Sequence, residues 1–335
     1  MRPLRVLTWH VHGNYLLYLA QAGVEFLLPV EPGRPGGFGG RGATFPFPDR
    51  VREVPAAGVR DAEFDLVLYQ TRGNYEVDGP ELLSDRQREL PSIYLEHDPP
   101  QEHPVDQRHW FDEPDSLLVH VTPFNALMWD SGRTPTRVID HGILIPDGVR
   151  YSGEVPRGIV AINHLRSRGR RLGVDVFERL RREAPIDLVG MDAESLGGLG
   201  EVAPMDLPAF EARYRFFFNP IRWTSLGLAV LEAMTIGLPI VGLATTEMVT
   251  AVEHGVSGFL ATDPADLIAP MLDLIAFPEL ARTMGANARR AALDRFSIDR
   301  FARDWEATFA EVAGRAGPTE TRVAPGLAMS PGGGV

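Results

Sequence analysis

The 335-residue chain is too long for one small core, and its length favours two domains of about 150 residues each. A hydrophobic content of 44% and a charged content of 23% are ordinary for a folded globular chain, while the net charge of −12 disfavours a nucleic-acid binder, which needs a basic face. Cysteine and lysine are both absent, which excludes disulfides, thiolate chemistry, Cys-ligated zinc, a Lys Schiff base and a P-loop lysine.

The segment "LRVLTW" (4–9) reads as a strand, 15–23 as a helix ending in glycine, and 24–30 as a second strand. Further strands are expected at 64–70, 92–96, 117–121 and 136–140. Near-continuous apolar strands separated by helices indicate a parallel sheet covered on both faces. A stretch containing proline and glycine (142–158) interrupts the pattern. It restarts with strand 159–163, a helix around 173–183, strands 186–190 and 215–219, a helix at about 225–236 and strand 238–243. After about 264 only helix is expected, and 316–335 has the composition of a disordered tail. The order predicts an α/β chain of two doubly wound, Rossmann-like domains joined near 145–157. The division is drawn as 1–148, 149–297, a helix at 298–315 and the tail. No stretch has the length of a membrane span and no cleavable leader is evident, so the expectation is a cytoplasmic protein without an integral membrane segment.

Five stretches carry possible chemistry. "GFGGRG" (37–42) matches G-x-G-x-x-G, but the prolines that follow forbid the helix this fingerprint requires, and a flexible loop is expected. "WHVHGNY" (9–15) closes the first strand. It reads as a plain turn, as an anion contact with Gly13 allowing close approach, or as a metal site shared by His10 and His12. "YLEHDPPQEHP" (94–104) places Glu96, His97 and Asp98 just past a strand end, where α/β sheets hold ligands, and His97 leads among them. "NHLRSRGRRLG" (163–173) crowds Arg166, Arg168, Arg170 and Arg171 into one loop, either solvated or clamping phosphate.

The fifth, "WTSLGLAVLEAMTIGLP" (223–239), is a helix that is apolar almost all round, with Glu232 in its middle. Thr224 or Ser225 is the expected N-cap and Gly227 falls in the first turn, whose amides suit an anion. A buried carboxylate needs donors, and either ligand hydroxyls or an arginine would supply them.

The run 219–261 resembles the donor-binding core of retaining GT-B glycosyltransferases of the family-4, "glycosyl transferases group 1", type. The matching pieces are Gly227-Leu228, Glu232-Ala233-Met234, Gly237-Leu238-Pro239-Ile240-Val241 and Glu253-His254-Gly255-Val256-Ser257-Gly258. The likeness is specific there. Elsewhere it is architectural, at 138–143, 159–173 and 92–98. It implies the GT-B fold: two Rossmann-like domains facing across a cleft, acceptor side first and donor side second, with the last helix crossing back to the first domain. Glu232 then bonds the donor ribose. Backbone at Leu226, Gly227 and Leu228 faces the donor phosphates or sugar, Arg166 and Arg171 neutralise the diphosphate, and Gly13 lies near the phosphates. Val202 meets the nucleobase through its backbone, and His97 contacts a sugar. The family's first glutamate, which usually contacts the donor sugar, is Thr224 in this chain.

The implied activity is metal-independent, retaining transfer of a hexosyl group from a nucleotide-diphosphate sugar to a hydroxyl of a glycan, lipid or small-molecule acceptor. No further cofactor and no nucleic acid take part. The alternatives are a sugar-nucleotide epimerase of the same fold, a metal hydrolase built on His10 and His12, and a degenerate, non-catalytic binder with Thr224 as the lesion.

Overall fold

The structure is a computed structural model that describes residues 2–314, so the expectation for 316–335 lies outside the described residues. The first sheet has seven strands: β1 Arg5–Thr8, β2 Glu25–Val30, β3 Val51–Pro55, β4 Leu66–Tyr69, β5 Ser92–Glu96, β6 Leu117–His120 and β7 Thr136–Val138. Their order is β3-β2-β1-β4-β5-β6-β7, and every pairing is parallel. The second has five: β8 Val155–Ala161, β9 Ile186–Val189, β10 Tyr214–Asn219, β11 Ile240–Leu243 and β12 Gly258–Ala261, in the parallel order β12-β11-β10-β8-β9. Strands β4, β6, β10 and β11 are buried along their whole length, which is why they read as unbroken apolar runs. The two doubly wound domains expected from the pattern are present.

Three expectations need correction. Strands β3 and β12 were not foreseen. Both are sheet edges, and β3 ("VREVP") is only partly buried, so neither needs a long apolar run. Strand β8 starts at Val155, not 159, although Pro156 and Gly158 look like linker. The ladder shifts register between Tyr214 and Phe216, opposite Pro156, where a missing N–H is tolerated. Gly158 is required because a Cβ there would collide with the Phe216 ring. The loop holding "GFGGRG" is tied down: His10 N–H donates to the Gly37 carbonyl and Arg41 N–H to Glu53, while the Arg41 guanidinium reaches the Phe47 carbonyl.

Strand order reverses between β1 and β4 in the first sheet and between β8 and β10 in the second. Chains leave such neighbouring strands in opposite directions, so a crevice opens beyond their carboxyl ends. The last helix, Ile298–Val312, packs Phe301, Trp305 and Phe309 against the first domain, with Phe309 on Phe26 and Phe301 on Tyr15. Among the described residues no helix is long and apolar enough to cross a membrane.

The helix carrying Glu232, Leu228–Ile236, ends at Gly237 (φ 108°) and lies against the helix Pro278–Arg295. Gly285 of that second helix permits the approach, because a Cβ would strike the Gly237 carbonyl. Helix propensity favours Ala over Gly by about 1 kcal/mol. The collision reverses the sign. Gly285→Ala is expected to lower stability by about 1–3 kcal/mol in urea unfolding, and a neutral or stabilising result would contradict this packing.

Candidate functional site between the two switch points

A cavity of ≈ 320 Å³ lies between the domains. The first domain lines it with His12, Gly13 and Asn14, which follow β1; the second with Asn163 after β8, Gly190 after β9, Val202, Leu228 and Glu232. Of the residues singled out by sequence, Gly13, Val202, Leu228 and Glu232 meet here, while Thr224, Leu226 and Gly227 are not part of the lining. Gly13 opens the helix Gly13–Leu19, and a Cβ there would collide with Phe45. Among the described residues no hydrogen bond engages the N–H or C=O of Val202.

The Glu232 helix begins three residues later than expected. Gly227 (φ −63°, ψ 133°) is its N-cap rather than part of its first turn, and no side chain caps it. Residues 221–226 are held as a loop instead. The hydroxyls of Thr245 and Thr246 donate to the carbonyls of Ile221 (3.0 Å) and Ser225 (3.2 Å), and the Trp223 indole donates to the Pro100 carbonyl across the cleft (2.9 Å). Leu226 puts its side chain into the core, and among the described residues no hydrogen bond engages the Thr224 hydroxyl.

Glu232 is only 5% exposed. Its donors come from neither an arginine nor its own domain: Tyr18 Oη donates to Oε1 at 2.5 Å and Asn14 Nδ2 to the same oxygen at 2.9 Å. Oε2 accepts no hydrogen bond and is not sealed off. Burial raises the Glu232 carboxyl above its ordinary range, and the two donors pull it back. Glu211, also buried, is pushed well up by burial and by the charge of Glu232, and its Oε1 has no partner. Asn14 and Tyr18 escaped the sequence reading. The signal was there: two polar groups at i and i+4 on a short, otherwise apolar helix, "GNYLLYL".

His97 sits at the mouth of the first switch point. Gln70 Nε2 donates to Thr8 Oγ1 (2.9 Å) and to the Trp9 carbonyl (2.8 Å), which turns Gln70 Oε1 toward His97 Nε2 at 3.2 Å. The network therefore assigns the His97 proton to Nε2 and leaves Nδ1 as an acceptor. Burial, with His12 and His141 adding to it, holds His97 well below the ordinary histidine range. The His12 ring lies 4.4 Å from it. His10 turns away, with Nδ1 on the Gly40 carbonyl at 2.5 Å and its ring on Phe47. His10 and His12 therefore do not face a common cation. No group of three or more His, Asp or Glu among the described residues could hold a metal ion. Glu96 lies beneath the surface: it accepts from Asp98 N–H (2.8 Å) and from His109 Nε2 (3.0 Å), whose Nδ1 accepts from Phe111 N–H. It fixes the turn that carries His97 and Asp98.

Three of the four loop arginines are engaged. Arg166 is drawn to the Ser195 carbonyl and hydroxyl, and Arg170 to Asp175 (2.6 Å), which Arg222 also binds. Arg171 reaches across the cleft to Gln101 Oε1. Arg168 makes no side-chain hydrogen bond, and its charge couples to His12 and Asp98. The pair implied by the family likeness was Arg166 and Arg171; in the fold Arg166 is bonded to Ser195, and Arg168 is the uncommitted guanidinium among the described residues. Spacing could not reveal this, because the loop closes through left-handed backbone at His164 (φ 56°) and Gly173 (φ 80°).

Residues 168–276, within the second domain, match the family described as "Glycosyl transferases group 1". The chain is 37% identical over 109 residues to the D-inositol 3-phosphate glycosyltransferase of Geodermatophilus obscurus, covering 32% of this chain and 23% of that one. It is 29% identical over 90 residues to the N-acetyl-alpha-D-glucosaminyl L-malate synthase of Bacillus anthracis, covering 26% and 24%. The chain thus spans about a quarter of the length of these curated relatives. Its fold resembles that of sucrose-phosphate synthase from Thermosynechococcus elongatus, with a TM-score of 0.68 at 14% identity over 93% of this chain and 100% of the other. It likewise resembles Anabaena HepE in complex with UDP, with a TM-score of 0.68 at 18% identity over 92% and 100%. The second domain thus matches the group 1 glycosyltransferases over residues 168–276, and the fold of the chain is that of GT-B proteins.

Proposed function

We propose that the protein transfers a hexosyl group from a nucleoside-diphosphate sugar to an acceptor hydroxyl, with retention at the anomeric carbon and without a metal ion, in the cytoplasm where such donors are made. The observation that carries the reading is the interdomain cavity in which Glu232 keeps Oε2 open to a ligand. Ribose hydroxyls donate to that oxygen, and the free backbone groups of Val202 meet the base. Arg168, with Arg171 beside it, receives the diphosphate. Guanidinium groups there lower the barrier by stabilising charge that develops as the diphosphate leaves. The bond from C1 to the phosphate oxygen breaks with its electron pair going to the diphosphate. The acceptor oxygen bonds C1 on the same face and its proton passes to the departing phosphate. His97, neutral with Nδ1 free, accepts a hydrogen bond from a sugar hydroxyl and so orients it.

The unengaged Thr224 favours a second reading, a protein of this fold that binds the nucleotide sugar without turnover. Incubation with UDP-sugars and a panel of hydroxyl acceptors separates the two: transfer product supports the enzyme, and nucleotide binding with no product supports the binder. Conversion of the donor sugar without any acceptor would point to an epimerase.

Thermal melts with UDP, GDP, ADP and dTDP, each in EDTA, test the site. A nucleotide at a hundred times its Kd adds about 2.7 kcal/mol, which raises Tm by several degrees. UDP is the first choice because the related HepE fold was solved with it. No shift with any nucleotide would remove the reading. Arg168→Ala is expected to weaken UDP binding at least tenfold, about 1.5 kcal/mol or more, whereas Arg170→Ala lowers stability and leaves affinity unchanged; the reverse pattern would contradict the assignment. For His97, nitrogen-15 NMR is expected to show a neutral ring with its proton on Nε2 from pH 8 down to pH 5.5. A ring that titrates near 6.5 would contradict the buried, Gln70-bonded geometry.

A further inference from the structure

Both first-domain donors fall on one oxygen of Glu232. A carboxylate offers about four acceptor positions; Tyr18 and Asn14 occupy those of Oε1, and among the described residues none engages Oε2, on a side chain that lines the cavity. Tyr18 is 4% exposed and packed in the core, so its hydroxyl has little freedom. Asn14 stands between the ≈ 320 Å³ cavity and a second, apolar one of ≈ 220 Å³ lined by Leu17, Phe45, Ile145 and Met205. The Asn14–Glu232 contact is the wall between them.

We propose that Tyr18 and Asn14 are positioning residues for the nucleotide site. They hold the Glu232 carboxylate with Oε1 toward the first domain and Oε2 toward the ligand, so that ribose binding and domain closure reinforce each other. The inference rests on the transferase reading, in which a nucleoside diphosphate occupies this cavity. The surroundings explain why donors are needed from outside the second domain. On the neighbouring helix Leu207–Glu211, Glu211 faces Glu232 with a second carboxyl. Asp147 and Glu201 stand at the rims of the two cavities. On the helix Pro278–Arg295, Arg289 is spent on the Thr235 carbonyl. No cation neutralises Glu232, and only neutral donors hold it. If the domains part, both donors leave and the carboxylate loses the contacts that fix its orientation. Binding at Oε2 and contact at Oε1 are thereby linked reciprocally.

The test is calorimetric titration with UDP between pH 5.5 and 8 for the wild type, Tyr18→Phe and Asn14→Leu. Loss of a donor raises the carboxyl further, so the pH at which acidification abolishes binding moves upward. Tyr18→Phe is expected to bind UDP about tenfold more weakly at pH 7, with that midpoint displaced to higher pH; the ionisation of UDP itself is common to all variants. Tyr75→Phe, which removes a hydroxyl from Glu113 elsewhere in the first domain, is expected to leave affinity and midpoint unchanged. Should Tyr18→Phe fail to fold, Asn14→Leu carries the same expectation. A folded variant with wild-type affinity and midpoint would overturn the inference while leaving the transferase reading intact. A wild type that binds no nucleotide would overturn both.

Discussion

A carboxylate with no charged partner, buried at a domain boundary, is the constraint on which the arrangement turns. Glu232 sits on an apolar helix whose own domain supplies it with no donor and sets Glu211 beside it. Desolvating such a group without hydrogen bonds costs several kcal/mol. The donors come from the first helix of the other domain, which places Asn14 and Tyr18 on one face four residues apart. Those two contacts tie the first helix of one domain to the Glu232 helix of the other at the wall of the cavity.

Other contacts repeat the pattern along the same boundary. Glu247, 2% exposed, accepts from Phe124 N–H of the first domain (2.9 Å) and pairs with Arg295 (3.0 Å), which also holds Asp140 (2.9 Å). Trp223 is tied to the Pro100 carbonyl, and Arg171 to Gln101. The last helix covers the back of the first domain, with Trp305 fully buried and Glu306 accepting from Gly23 N–H.

Much of the fold was legible because parallel strands buried on both faces leave unbroken apolar runs. Strands β1, β4, β5, β6 and β10 were located within a residue or two. The edges β3 and β12 were not, since an edge strand carries a mixed pattern, and the start of β8, residues 155–158, was hidden by Pro156 and Gly158 at its bulge. Glu232, Val202, Gly13 and Leu228, singled out through local pattern and family likeness, line one interdomain cavity. What the sequence could not show was pairing across the cleft. Asn14 and Tyr18 are 218 and 214 residues from Glu232. Nor could spacing say which arginine stays free, because that depends on Ser195, Asp175 and Gln101 lying where Arg166, Arg170 and Arg171 end. The late start of the Glu232 helix was set by Thr245, Thr246 and Pro100, all distant in sequence from the expected cap.

The most direct test is a crystal structure of the protein with UDP, grown without divalent metal. The account predicts ribose hydroxyls within hydrogen-bond distance of Glu232 Oε2, Tyr18 and Asn14 still on Oε1, the base beside the Val202 backbone and the diphosphate at Arg168. A nucleotide bound elsewhere, or a Glu232 side chain released from Tyr18 and turned out of the cavity, would contradict it.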